Sequence, residues 1–484
     1  MNPTASELVA KLWNLCSLLR EDGVTYHQYV SELAFVLFLK MAKETKREAE
    51  LPKGYRWDDL SSKEGVEQLN FYRALLLHLG THGSKRVQDI YANASTSLRQ
   101  PKNLTALVKA LDDLDWWGAS HADGRDDREA LGDLYEGLLE KNATEVKSGA
   151  GQYFTPRALV ESMVAVVKPQ LGEVVQDPAC GTGGFLIAAD RFIKGKTDEL
   201  FALSEQLQTF QRKRAFHGVE LVPETRRLAL MNMTLHNLEA EIILGDTLSP
   251  TGSALPKVDV ILTNPPFGTK KGGGKPTRDD FTFPTSNKQL AFVEHVYRGL
   301  KPGGRAAIVV PDNVLFEENT GTQIRVDLMD KCDLHTVLRL PTGIFYAQGV
   351  KTNVLFFTRG ERDSGSTKAT WFYDMRTNAP AFGKRTPFTH GAFVEFEKLF
   401  GEDPNGKSKR KDQGEDGRWR KFTRDDLRAR GDNLDVTWLR DDGLIGTGDL
   451  QQPDAIAAQI QKKLQIAMGE VDSLMALLNS GRNL

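Results

Sequence analysis

The sequence predicts an α/β fold in which a mostly parallel sheet follows a helical region. Three observations support this prediction. Apolar residues recur at helical spacing in the first 145 residues, short β-rich runs alternate with helical stretches between about 150 and 360, and another apolar stripe lies near residue 484. Strands that alternate with helices are typical of parallel sheets with helices on their faces. We expect three regions, at residues 1–145, 146–400 and 401–484.

The first region, residues 1–145, is predicted to be a mainly helical domain. Apolar residues spaced three or four apart lie on one face of a helix. Two such groups occur here: Leu8, Leu12, Leu15 and Leu19, and then Leu33, Val36, Leu37 and Met41. Both groups are expected to pack against neighbouring helices.

The second region, residues 146–400, is predicted to contain the sheet. Its β-rich runs are bounded by Gly, Pro or Asp: Val174-Val175, 216–219, 242–244, 258–262 and 306–310. Helices of ten or more residues fit between several of these runs, which favours parallel strands. Two further runs, 337–340 and 354–358, are separated by a Gly-containing loop. We expect these two to pair antiparallel at one edge of the sheet.

The third region, residues 401–484, combines a charged stretch with a helix. Residues 401–421 carry many charges and are interpreted as a linker or exposed loop. Pro453 and Asp454 are typical of a helix start. The helix predicted after them has one apolar stripe: Ile456, Ile460, Leu464, Val471, Leu474 and Leu478. This stripe is expected to dock either on its own domain or on another protein.

Composition and charge favour a cytoplasmic protein without a disulfide framework. Lys and Arg number 63 and Asp and Glu number 65, a net charge of −2. DNA contacts would therefore depend on local patches or a partner, because self-sufficient DNA binders usually carry a basic excess. Cys16, Cys180 and Cys332 are odd in number and lack metal-ligand spacing. We see no signal peptide, expect no metal, and find no apolar run near the ~18 residues of a membrane span.

A Gly-rich turn is the first motif that indicates chemistry. Asp177 follows a predicted strand, and the residues after it are Pro-Ala-Cys and then Gly181, Thr182, Gly183 and Gly184, before a predicted helix. Glycines at the carboxyl end of a first strand let the backbone approach a bound cofactor closely. The turn therefore predicts a nucleotide-like ligand.

Two acidic residues follow the next two predicted strands. Glu220 ends the run 216–219, and a carboxylate there can accept hydrogen bonds from ribose hydroxyls. Asp246 follows the run 242–244 and can accept from the amino group of a cofactor adenine. Each acid alone is more often a helix cap or a turn residue. Their regular placement at strand ends makes them candidate cofactor ligands.

The sequence Asn264-Pro265-Pro266-Phe267 follows the predicted strand 258–262 and Thr263. Two prolines cannot extend a buried strand, and they stiffen the turn. The Asn264 side-chain oxygen and the Pro265 carbonyl can each accept one hydrogen of an adenine amino group. This frees the nitrogen lone pair for attack on a sulfonium methyl group. Phe267 can stack on a base that is flipped out of the duplex.

A third motif precedes the predicted helix 158–167. Its residues combine aromatic side chains with a Thr-Pro pair that is typical of a helix start: Gln152, Tyr153, Phe154, Thr155, Pro156 and Arg157. The residues themselves fit either a helix cap with aromatic packing or a segment that covers a ligand.

In this order the motifs resemble the gamma-class amino-methyltransferases, and more narrowly the modification (M) subunits of type I restriction-modification systems. Further stretches are similar to that family: Pro-Thr-Ser-Asn-Lys-Gln-Leu-Ala-Phe at 284–292, Leu-Lys-Pro-Gly-Gly-Arg at 300–305, Pro-Asp-Asn-Val-Leu-Phe at 311–316, and Asn433-Leu434-Asp435 with Trp438. The resemblance implies a site-specific, adenine-specific DNA methyltransferase that uses S-adenosyl-L-methionine. It also implies a seven-stranded, mostly parallel, Rossmann-like methyltransferase sheet with a reversed edge strand.

The resemblance implies a role for each motif. Residues 152–157 would cover the cofactor, Thr182 to Gly184 would hold its methionine part, and Glu220 its ribose. Asn264 to Phe267 would hold the target adenine. The N-terminal helices would contact a neighbouring subunit and DNA.

The resemblance and the charge balance predict a subunit rather than a self-sufficient enzyme. The residues after Gly360 divide into a charged loop and a helix, too little for a domain that reads a bipartite DNA sequence. We expect DNA, a specificity subunit, a second copy of the modification subunit and a restriction (translocase/endonuclease) subunit as partners, and no membrane. The C-terminal helix is expected to dock on the specificity subunit.

Two alternative functions remain open from the sequence. One is an amino-methyltransferase that acts on RNA or on a protein glutamine, although such enzymes more often carry Tyr where this chain has Phe267. The other is a non-catalytic assembly scaffold that retains the pocket. The intact Asn264 to Phe267 motif argues against the scaffold.

Overall fold

The structure is a computed structural model that describes most of the chain. The described residues are 5–15, 26–114, 116, 127–145, 155–268, 275–345, 350–380, 382 and 386–439. Up to Trp438 they form one compact unit. The helix predicted after Pro453 lies outside them and stays a prediction, as do the domain boundaries expected near residues 145 and 400.

Helices make up the regular structure of the described N-terminal residues. They are α1 (Ala5–Asn14), α2 (Tyr26–Glu44), α3 (Trp57–Ser61), α4 (Gly65–Leu79), α5 (Lys85–Tyr91), α6 (Pro101–Asp112) and α7 (Asp127–Glu145), with a 3-10 turn at Glu48–Glu50. Leu33, Val36, Leu37 and Met41 of α2 are fully buried, as their helical spacing predicts. Among the described residues, no helix is long and apolar enough to cross a membrane.

The described strands form one nine-stranded sheet. They are β1 (Val175–Asp177), β2 (Phe216–Glu220), β3 (Glu241–Leu244), β4 (Val258–Thr263), β5 (Leu300–Pro311), β6 (Cys332–Arg339), β7 (Thr352–Arg359), β8 (Ala369–Asp374) and β9 (Trp419–Thr423). Their order is β3-β2-β1-β4-β5-β7-β6-β8-β9. The first five strands are parallel to one another, with β1 paired to both β2 and β4. The chain therefore reverses its winding direction between β1 and β4, where ligands bind in open parallel sheets.

The remaining helices connect these strands. They are α8 (Arg157–Val167), α9 (Gly184–Lys196), α10 (Glu205–Lys213), α11 (Pro223–Leu235), α12 (Pro250–Ser253), α13 (Lys288–Gly299), α14 (Asn313–Phe316), α15 (Thr320–Lys331), α16 (Val394–Phe400) and α17 (Arg424–Ala429). Two further 3-10 turns lie at Asp198–Leu200 and His390–Phe393.

Both faces of the sheet are buried. Along β5, Ala306, Ile308 and Val310 belong to one apolar cluster, whereas Ala307 and Val309 belong to the other. The second of these clusters is continuous with the buried side chains of the N-terminal helices. The mixed α/β fold with a mostly parallel sheet is therefore confirmed. The central strands are nearly continuous apolar runs because both faces of the sheet are covered.

Two details of the predicted sheet are wrong. The described residues form nine strands rather than seven, because β8 and β9 extend the sheet beyond β6. The pair formed by β6 and β7 is antiparallel as predicted, but it lies inside the sheet rather than at an edge. The sequence did not reveal β9 because only Trp419 among its five residues is buried, and three of the five, Arg420, Lys421 and Thr423, are polar.

The charged stretch 401–421 is only partly the exposed loop that its sequence predicts. Its last residues enter β9. The Arg410 guanidinium lies 4.5 Å from the ring centre of Phe400 and donates from Nε to the Phe400 carbonyl at 2.9 Å. Part of the stretch therefore packs against the sheet and its helices.

Candidate functional site

The Gly-rich turn joins the end of β1 to the start of α9. Gly181 and Gly183 have φ angles of 54° and 84°, in the left-handed region that favours glycine. A Cβ atom on Gly183 would lie 2.2 Å from Cε of Met233. The backbone conformation of Gly183 therefore favours glycine, and a side chain there would also displace the end of the Met233 side chain.

Asp177, the last residue of β1, is fully buried beneath this turn. Its Oδ1 accepts hydrogen bonds from Thr263 Oγ1 at 2.7 Å and from the Ala179 amide at 3.0 Å. Burial raises the pKa of Asp177 to about 7, although these two hydrogen bonds act in the opposite direction. Asp177 therefore fixes the turn to the neighbouring strand β4.

Glu220, the last residue of β2, holds the same turn from the other side. Its Oε2 accepts from the Gly181 amide at 3.0 Å, and its Oε1 accepts from the Val222 amide at 2.8 Å. Burial raises the pKa of Glu220, while the backbone donors lower it. Each carboxylate oxygen has two lone pairs, so both can still accept from a ligand hydroxyl.

Asn264 follows β4 directly and is almost completely buried. Its Nδ2 donates to Oγ1 of Thr155 at 2.9 Å. The next turn is held from α13, because Gln289 Nε2 donates to the Pro266 carbonyl at 3.4 Å. The Phe267 ring meets the Phe345 ring edge to face, with 6.0 Å between their centres.

One cavity of about 1,090 Å³ connects these groups. The predicted site residues that line it are Thr155, Arg157, Asp177, Gly181, Thr182, Gly184, Glu220, Asp246, Asn264 and Pro266. Four predicted site residues are described but are not among its lining residues: Pro156, Gly183, Pro265 and Phe267. Gln152, Tyr153 and Phe154 lie outside the described residues. Motifs separated by more than 100 residues therefore converge on one space.

The cavity is also lined by residues that the sequence did not indicate. Val30 of α2 and Glu136, Leu139 and Glu140 of α7 line it, although both helices precede the sheet. Their positions follow from the packing of the N-terminal helices, which no local pattern encodes. His390 lines the cavity from a 3-10 turn.

Arg157 lies within a cluster of charges at the cavity wall. Its guanidinium is 3.1 Å from an Asp133 oxygen and 3.8 Å from a Glu136 oxygen, and both acids belong to α7. Arg191 of α9 binds the same two acids, at 2.5 and 3.1 Å. Burial raises the pKa of Glu136, and the two guanidinium groups oppose this shift. The cluster joins α7, α8 and α9.

The arrangement has the chemistry of a nucleotide-cofactor site. The carboxylates of Asp177 and Glu220 end β1 and β2, and Asp246 follows β3, so all three lie at the carboxyl ends of parallel strands. The Asn264 amide lies at the adjacent end of β4, across the reversal in strand order. Within the described part of the chain, no group of three or more His, Cys, Asp or Glu side chains is arranged to hold a metal ion.

This fold and cavity define an α/β enzyme class that binds its cofactor at a reversal in strand order. The N-6 DNA methylase family matches residues 126–440. The StySPI type I restriction enzyme methylase subunit of Salmonella potsdam is 54% identical, covering 98% of this chain and 96% of that protein. The EcoKI methylase subunit of Escherichia coli K12 is 53% identical over the same shares.

Solved structures agree with these relatives. The crystal structure of the EcoKI M protein has a TM-score of 0.59 and 49% identity, and covers 97% of this chain and 96% of that one. A type I restriction-modification structure, described in terms of complex assembly and conformational transition, has a TM-score of 0.71 and 26% identity over 99% of both chains. The chain therefore belongs to the N-6 DNA methylase family, among the methylase subunits of type I restriction enzymes.

Proposed function

We propose that this chain transfers a methyl group from S-adenosyl-L-methionine to N6 of adenine in double-stranded DNA. In this proposal it is the modification subunit of a type I restriction-modification complex. The observation that carries the proposal is the convergence of Asn264 and the Gly-rich turn on one cavity. Two relatives that are 53–54% identical are described as methylase subunits of type I restriction enzymes, which supports the same activity.

The residues of the cavity fit the proposed cofactor. Space is open where Gly181 and Gly184 would carry a Cβ atom, so a ligand can approach the backbone there. Asp177, Glu220 and Asp246 supply acceptors for ribose hydroxyls, an adenine amino group and a positively charged methionine part. In this assignment Thr182 to Gly184 hold the methionine part, Glu220 the ribose, and residues 152–157 cover the cofactor. When bound, the cofactor supplies an electrophilic methyl group on its sulfonium sulfur.

The residues after β4 would prepare the adenine. The amino nitrogen is a poor nucleophile because its lone pair is delocalised into the ring. Asn264 Oδ1 and the Pro265 carbonyl accept its two hydrogens and draw it towards tetrahedral geometry, which localises the lone pair. Phe267 stacks on the flipped base and holds it against these acceptors. Formation of the N–C bond would be matched by cleavage of the methyl–sulfur bond, whose electron pair would stay on sulfur in the leaving thioether. The extra proton on the nitrogen would then leave to water.

Sequence specificity would come from a separate specificity subunit. The near-neutral charge of the chain supports this assignment, because phosphate contacts require basic surface. A second copy of this chain and a restriction subunit would complete the complex. Because the proposed substrate is DNA, we expect this protein to act in the cytoplasm.

Transfer of a labelled methyl group by the assembled complex tests this function. The chain is purified with its specificity subunit and incubated with methyl-labelled S-adenosylmethionine and duplex DNA, and the DNA is digested to nucleosides. We expect the label in N6-methyladenine. Parallel incubations replace the DNA with RNA or with protein. Label in RNA or in protein glutamine, with none in DNA, would support the first alternative, and no transfer to any of these acceptors would support the scaffold.

A further inference from the structure

The side-chain amide of Asn264 is anchored by a residue far away in the sequence. Its Nδ2 donates to Thr155 Oγ1 at 2.9 Å across a separation of 109 residues, and both residues line the cavity. An Asn amide has a broad range of accessible angles about its last bond. It is also planar, with a donor at one end and an acceptor at the other. With Nδ2 directed at Thr155, the plane and direction of Oδ1 are therefore set.

The segment that carries Thr155 is connected to α7 through Arg157. It lies two residues before Arg157, the first residue of α8, whose guanidinium binds Asp133 and Glu136 of α7. The Pro156 carbonyl accepts from the amides of Leu159 and Val160 at 2.9 and 3.1 Å, which fixes the chain to the first turn of α8. The segment that carries Thr155 is thus tied to α8 at its end and to α7 through the cluster.

The geometry points to Thr155 as a positioning residue that holds the Asn264 amide in the orientation needed to accept from the target amino group. This inference rests on the function proposed above, and it differs from the cofactor-covering role that the family resemblance implies for Thr155. A cofactor ligand would act on cofactor affinity. A positioning residue acts on the rate of methyl transfer after cofactor and DNA have bound, because a small misorientation of a catalytic group slows the reaction strongly.

Thr155→Val and Thr155→Ser in the complete complex test this role. Val has the shape of Thr without its hydroxyl group, whereas Ser keeps the hydroxyl. At saturating cofactor and DNA, we expect Thr155→Val to lower the single-turnover rate by about tenfold or more. The cofactor Kd should change by less than about threefold, and Thr155→Ser should stay within about threefold of the wild type in both measurements. Thr155→Ala repeats the comparison if the Val variant unfolds.

The outcomes separate this inference from the proposed function. An active wild-type complex with an equally fast Thr155→Val variant would overturn the positioning role alone. A raised cofactor Kd in Thr155→Val, with a normal single-turnover rate at saturating cofactor, would also overturn it, since Thr155 would then act as a cofactor ligand. A wild-type complex that transfers no methyl group to DNA would remove the proposed function and this inference together.

Discussion

The hydroxyl group of Thr263 donates to Oδ1 of Asp177 at 2.7 Å in the buried interior. Thr263 ends β4, directly before Asn264, and Asp177 ends β1, directly before the Gly-rich turn. The two strands are parallel neighbours. One hydrogen bond therefore fixes the two motifs that converge on the cavity relative to each other.

Removal of this hydroxyl group should destabilise the chain. We expect Thr263→Val to lower the free energy of unfolding by about 1–3 kcal/mol, because the buried Asp177 Oδ1 loses one of its two donors. Thr263→Ser keeps the donor and is the matched control, with a smaller loss from the missing methyl group. Urea unfolding of the purified chain measures both. Equal stability of Thr263→Val and the wild type would contradict the importance of this bond.

The stability of the chain should depend on pH through Asp177. Folding raises the pKa of Asp177 from 3.8 to about 7. Its contribution to stability is therefore fully present below about pH 4 and is lost as the pH rises through about 7. Asn at this position keeps the accepting oxygen but does not titrate. Relative to the wild type, we expect Asp177→Asn to gain about 2–3 kcal/mol between pH 5 and pH 8.

Urea unfolding of both cofactor-free proteins at pH 5 and pH 8 measures this gain. The comparison with the wild type cancels the titration of other groups. A stability difference that is the same at both pH values would mean that Asp177 keeps an ordinary pKa in the folded chain.

Asn264→Ala should separate catalysis from cofactor binding. The variant loses the acceptor for the target amino group, so methyl transfer is expected to fall below detection. The cofactor Kd should stay within about threefold of the wild type, because the contacts assigned to the Gly-rich turn and Glu220 remain. Methyl transfer and equilibrium cofactor binding are measured on the same preparation. Near-normal turnover would refute the assigned role of Asn264.

Glu220→Ala should weaken cofactor binding. The carboxylate that is assigned to the ribose is lost, and the amides of Gly181 and Val222 lose their acceptor. We expect the cofactor Kd to rise by about tenfold or more, since hydrogen bonds to charged groups contribute about 1.5–3 kcal/mol. Glu224→Ala, at an exposed position of the following helix, is the matched control and should change the Kd little. Isothermal titration of the cofactor compares the variants, and equal affinities would exclude Glu220 from the site.

Much of the sheet and of the cavity was predictable from local patterns. The runs that became β2, β4 and β5 are apolar because both faces of the sheet are covered. The acids and the Asn-Pro-Pro-Phe sequence stand at the ends of such runs. Because parallel strands bring their carboxyl ends to one edge, that position alone predicts that Asp177, Glu220 and Asn264 share a site.

The edge of the sheet was not predictable in this way. β9 buries Trp419 but exposes the polar residues Lys421 and Thr423. Its sequence therefore resembles that of the charged loop before it. Its pairing with β8 comes from contacts between distant segments, such as the stacked rings of Trp371 and Trp419 at 5.5 Å. An edge strand is defined by its partner more than by its own composition.

The sequence by itself determined the α/β class, the order of its motifs and the family to which the chain belongs. Those properties depend on residue type and on spacing within short segments. Only the tertiary structure decided that Thr155 bonds to Asn264 and that acids of α7 bind Arg157 and Arg191. The physical reason is that such contacts depend on how separate elements pack, and a hydrogen bond between residues 109 positions apart leaves no periodic signal in the chain.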